Sequence, residues 1–193
     1  MMVEAGIQAE AKSSSKLELI FILLIPFGGL ALAAWMYFAG EFLPDGRSHK
    51  GNLLSTPLSL AEFQTSGLNT DMLDGKWGII VVSEGECGQA CRDFLYLTRQ
   101  SHIALNRNST RVSRFFISEE LPQGALNQLL EAEHQELNVL TGRMPLLPYG
   151  SDESVRVFLA DPLGNVMLWY GKEHSGKQIL KDLEKLLKAS RIG

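Results

Sequence analysis

The chain alternates between one long apolar block and a series of shorter periodic ones. Residues 19–40 hold no charged side chain, and polar residues flank them on both sides. As a helix those 22 residues reach roughly 33 Å, enough to cross a hydrocarbon core of about 30 Å. Trp35 and Tyr37 near the end of the block are the residue types that anchor at a bilayer interface. Residues 1–18 read as a short polar tail and residues 19–40 as a transmembrane anchor. The tail carries Glu4, Glu10 and Glu18, and the apolar run exceeds the roughly 7–15 residues of a signal-peptide core. An uncleaved anchor is therefore expected.

Beyond the anchor the period changes. Residues 41–70 are rich in Pro, Gly, Ser and Asn and read as a membrane-proximal linker, with 58–63 as a short strand or hairpin arm. Residues 77–82 are a β-branched apolar run suited to a strand buried on both faces. A helical pattern follows from Cys87 to about Asn106, and then a strand over 111–117. The spacing predicts a helix over 126–137 and a Pro-punctuated loop over 141–151. Strands over 155–160 and 165–170 are joined by the Asp161-Pro162-Leu163-Gly164 turn. The last helix, 178–188, sets Ile179, Leu180, Leu183, Leu186 and Leu187 against outward lysines. The order β, α, β, α, β-hairpin-β, α predicts an α/β domain over 71–193. It has a parallel first strand pair, an antiparallel hairpin at the sheet edge and helices on both faces, which is a thioredoxin-like layout.

Composition narrows the function. In 193 residues a net charge of −4 and no basic stripe argue against nucleic-acid binding. Two cysteines are too few for a disulfide scaffold, but they stand four apart where the first strand meets its helix. At that spacing Cys87 and Cys91 fall one helical turn apart, with Cβ atoms roughly 5–6 Å from each other. The pair suits either a metal held by two thiolates or a reducible disulfide. A helix N-terminus favours thiolate, whereas Glu84 and Glu86 oppose it.

The anchor, the Cys87-x-x-x-Cys91 junction, Asp152-Glu153-Ser154 and Asp161-Pro162-Leu163-Gly164 together resemble the Sco/SenC family of cytochrome c oxidase assembly proteins. The stretches 48–54, 161–167 and 187–193 look most like the poorly characterised Sco-like proteins of proteobacterial oxidase gene clusters. The resemblance implies a thioredoxin fold tethered to the bacterial inner membrane, with its domain in the periplasm. It also implies Cu(I) as a possible cofactor, and oxidase subunit II, which carries the CuA centre, or another assembly factor as partner.

One departure bears on copper. Glu153 stands where the family has a histidine ligand, and a carboxylate is a harder donor than Cu(I) prefers. His174 is the alternative third donor, against the reading of a loop histidine before the last helix. His49, His102 and His134 read as surface residues, Met144 and Met167 as packing, and Trp77, Trp169 and Tyr170 as strand core.

Three functions remain open at this point. The first is thiol–disulfide exchange by Cys87 and Cys91 on the CuA-site subunit. The second is Cu(I) binding by Cys87, Cys91 and either Glu153 or His174. The third is a non-catalytic interaction module of an oxidase complex, with a permanent disulfide or inert thiols.

Overall fold

A computed structural model describes residues 14–39, 49–65, 67–145 and 154–190 of the chain. It divides into two units, residues 1–47 and 48–193. In the first, helix α1 (Ser14–Ala39) contains the whole 18–38 stretch, which is long and apolar enough to span a bilayer. None of the described span is buried.

The second unit contains β1 (Asn52–Ser59), β2 (Gln64–Thr65), the one-turn helix α2 (Thr70–Leu73), β3 (Trp77–Ser83) and α3 (Gln89–Ala104). After these come β4 (Val112–Ser118), α4 (Gly124–Glu133), β5 (Leu137–Arg143), β6 (Val155–Ala160), β7 (Asn165–Tyr170) and α5 (Gly176–Ala189). The strands form one sheet in the order β1-β7-β6-β3-β4-β5-β2.

Every residue of β3 is buried, which is what its uninterrupted apolar run demands. It pairs in parallel with β4 (Ile80↔Phe115) and antiparallel with β6 (Ile80↔Phe158). The α3 crossover makes the parallel pair possible, as expected. Alternate β3 residues face two cores. Ile79 and Val81 pack with Phe94 and Leu95 of α3, Leu130 of α4, and Ile179, Leu183 and Leu187 of α5. Ile80 and Val82 pack with Leu54, Leu60, Phe63, Leu68 and Leu73. The three long helices of this unit thus share one face, while residues 54–73, with one-turn α2, cover the other.

That second core takes in Leu54, Leu58, Leu60, Phe63 and Leu68, in the described part of the stretch read as a membrane-proximal linker. From His49 onward the described chain belongs to the compact unit, and β1 pairs with β7. Only Leu54 and Leu58 of β1 are buried, its register shifts between Leu53 and Leu58, and Pro57 interrupts its donors. Such an irregular edge strand carries almost no period-2 signal. Because β1 covers β7, the β6–β7 hairpin lies inside the sheet and not at its edge.

A correction concerns residues 126–143. The helix stops at Glu133, and β5, parallel to β4 (Phe116↔Val139), takes Leu137, read as the end of the helix, and 141–143, read as the start of the loop. None of β5 is fully buried, so it lacks the apolar run that marks β3.

The His134 residue where α4 ends is buried, not a surface residue. Its Nδ1 lies 3.3 Å from Nη2 of Arg114, which also donates to the carbonyl of Leu95 and the hydroxyl of Thr98. Burial first, then the Arg114 charge, lowers the His134 pKa to about 4. Burial also lowers that of Arg114, to about 10. His102 is mostly buried too, its Nε2 within 3.1 Å of the carbonyls of Ser109 and Val112. Trp77 and Tyr170 are core residues as expected, and Trp169 is half-buried. Met144 is buried and Met167 packs against the α3–α5 core.

Candidate functional site

The parallel strands β3 and β4 end side by side, with Ser83 opposite Ser118. Loops leaving the carboxyl ends of such strands are where open α/β sheets place their chemistry. After β3 the backbone turns at Gly85, whose φ of +74° suits a residue without Cβ. Glu84 N–H is tied to the carbonyl of Ser154 at 2.7 Å. The chain then enters α3 with Gly88 as N-cap.

Cys87 and Cys91 are joined as a disulfide, with Cα atoms 5.1 Å apart. The expectation that both lie on the helix needs adjustment. Cys91 is the third residue of α3, but Cys87 precedes the N-cap and belongs to the loop. The two sulfurs consequently differ in environment. Cys91 has no exposed surface and packs with Phe94 and Leu95, whereas Cys87 is partly exposed. A reagent in solution meets Cys87. A thiolate released at Cys91 would sit in the first turn of a helix, near its unpaired N–H groups.

Cys87 forms part of the wall of a cleft of about 550 Å³. One side is Gly85, Glu86, Cys87 and Arg92. The other is the loop after β4 and the start of α4, from Ser118 through Leu126. Ser118 Oγ donates to the carbonyl of Glu120 at 2.7 Å and shapes that loop. The sequence reading did not single out residues 118–126. The signal was present in the rule that the second parallel strand ends beside the first.

The remaining expected site residues are not gathered here. Glu153 lies outside the described residues. His174 is buried in the turn between β7 and α5, where its Nδ1 is 3.1 Å from Gly171 N–H and 3.0 Å from a Glu173 carboxylate oxygen. Its ring packs edge-on against Tyr170, with centroids 5.3 Å apart. Among the described residues no group of three or more His, Cys, Asp or Glu side chains is placed to hold a metal ion.

A buried carboxylate also escaped the sequence reading. Asp182 of α5 accepts from the backbone N–H groups of Lys50 (2.7 Å) and Gly51 (2.8 Å) and from the Tyr170 hydroxyl (2.9 Å). Burial, then the Asp182 charge, pushes the Tyr170 hydroxyl pKa well upward. This knot fastens the start of β1 to α5.

Solved structures share this fold. Apo Sco1 from Thermus thermophilus is 17% identical with a TM-score of 0.52, the match covering 73% of this chain and 99% of that one. Yeast Sco1 is 20% identical with a TM-score of 0.51, covering 71% and 96%. Copper-bound ScoI from Arabidopsis thaliana is 20% identical with a TM-score of 0.49, covering 70% and 98%. No curated protein matches the chain. The sequence model described as "transmembrane-like, thioredoxin-like, C-terminal domain" matches residues 77–190, from the first residue of β3 to just past α5. The chain belongs to that family of transmembrane-like, thioredoxin-like proteins, and its C-terminal unit has the fold of the Sco1 proteins.

Proposed function

We propose that this chain is a membrane-anchored assembly factor for a haem–copper cytochrome c oxidase that works by thiol–disulfide exchange at Cys87 and Cys91. Its C-terminal unit acts on the periplasmic side of the bacterial inner membrane, and its client is the oxidase subunit that carries the CuA cysteines. The observation that carries the redox part is the asymmetry of the disulfide, with one sulfur in a cleft wall and the other buried at a helix start. The oxidase part is supported by the likeness to the Sco/SenC family seen in the motifs.

In the oxidised form a client thiolate attacks Sγ of Cys87, the Cys87–Cys91 bond breaks, and Cys91 leaves as a thiolate. A second client thiolate then attacks the client sulfur of the mixed disulfide and releases Cys87. The client gains a disulfide and this chain gains a dithiol, so two electrons pass between them. Run backwards, the dithiol form reduces the CuA cysteines, with Cys87 as nucleophile and Cys91 as resolving thiol. No step passes through copper.

The test is a trap. In membranes, the Cys91→Ser variant lacks the resolving thiol and should accumulate a disulfide-linked adduct through Cys87, with the CuA subunit in it. The Cys87→Ser variant should accumulate none. An adduct that forms only through Cys91, or none in either variant, overturns the proposal.

A further inference from the structure

The cleft beside Cys87 carries a net negative charge among its described lining residues. Among its described lining residues Glu86, Glu119 and Glu120 are acids and Arg92 is the only cation. All three glutamates are exposed, and Glu84, one turn of loop away, adds a fourth exposed carboxylate. Part of this charge is offset, since Glu119 lies 3.5 Å from Nε of Arg143. Arg92 shares its turn of α3 with exposed Asp93, which accepts from Gln89 at 2.8 Å. The balance at the mouth stays negative. Apolar surface lines the same cleft, with Leu121 61% exposed and Leu126 half-buried.

From this arrangement we infer that the segment presented to Cys87 is a cysteine-bearing polypeptide of net positive charge, and that anionic thiols such as glutathione are disfavoured there. The inference rests on the exchange reading given above and names its client by chemistry. A carboxylate rim raises the local concentration of a cationic segment and repels an anionic one, by about tenfold or more at low salt. Lysine and arginine stems also bury their methylenes against apolar surface such as Leu121 while their charges reach the glutamates. Lysines or arginines near the client cysteine would lower its thiol pKa as well, favouring the attacking thiolate.

The test uses the reduced full-length chain carrying Cys91→Ser, in detergent. Two peptides of equal length each bear one cysteine, flanked by lysines in one and glutamates in the other, and each is activated as a mixed disulfide with thionitrobenzoate. The Cys87 thiolate attacks the peptide sulfur and the coloured thionitrobenzoate anion leaves, which gives the rate. Each rate is divided by that of the same peptide with β-mercaptoethanol, a neutral thiol. The lysine peptide should react about tenfold faster, and the ratio should fall toward one at high ionic strength and in the Glu86→Gln/Glu119→Gln/Glu120→Gln variant. Equal rates, or a preference that survives those three substitutions, overturn the inference while leaving exchange at Cys87 intact. No reaction with either peptide overturns the exchange reading and the inference with it.

Discussion

Burial separates the two cysteines more than their spacing does. With both reduced, Cys87 should be alkylated by iodoacetamide at least about tenfold faster than Cys91, compared in the single-serine variants, because only the thiolate that solvent reaches can react. Equal rates would mean that the helix start is open and that attack is not confined to one sulfur. The same residue scale holds a second consequence, at His134. Its folded pKa lies below the unfolded value of about 6.5, so between pH 4 and 6.5 the unfolded chain binds the extra proton. Stability contributed by keeping this imidazole neutral is present above pH 6.5 and is lost as pH falls toward 4. The slope is at most about 1.4 kcal/mol per pH unit. Urea midpoints across this window should fall less steeply in His134→Gln than in the parent chain, and parallel slopes would refute the assignment. The cysteine pair was legible in the sequence because two like residues at a strand–helix junction stand out. His134 was not, since its partner Arg114 reads as an ordinary charge in a strand until the fold buries it.

Elements with a clean period were legible to within a few residues, notably β3, β4, the β6–β7 hairpin and α5. Those that escaped, β1 and β5, draw their stability from neighbours. The start of β1 is held by Asp182, and Gly51 lies so close to the Tyr170 ring that a Cβ there would come within 2.5 Å of it. Asp182→Ala strips acceptors from two backbone N–H groups and a buried hydroxyl. It should cost about 3 kcal/mol or more, since each of three groups left unsatisfied costs about 1–3 kcal/mol. A chemical-denaturation curve that shifts by less than about 1 kcal/mol would show that the knot contributes little. Asp182 lies i+3 from Ile179 and i−4 from Leu186, at the border of the apolar stripe of α5, but its residue type reads as part of the polar face.

At the scale of the molecule, the described residues form an apolar helix long enough to span a bilayer and a thioredoxin-like unit. With α1 across a bilayer the chain should stay in the membrane pellet through alkaline carbonate extraction, and its release would contradict the anchor. The Sco-like resemblance was readable from short motifs because turns such as Asp161–Gly164 have strict residue demands, with Gly164 at a φ of +87°. The acidic cleft was not readable, because its walls come from α3 and the β4–α4 loop, about thirty residues apart in the chain.

Exchange at Cys87 and Cys91 requires that this disulfide open and close within the potential range of exchanging pairs. Equilibrating the full-length chain in graded thiol buffers and counting free thiols gives its reduction potential directly. An exchanging pair should give a value above about −300 mV. A pair still oxidised below that potential is structural, and exchange at Cys87 would be the wrong chemistry for this protein.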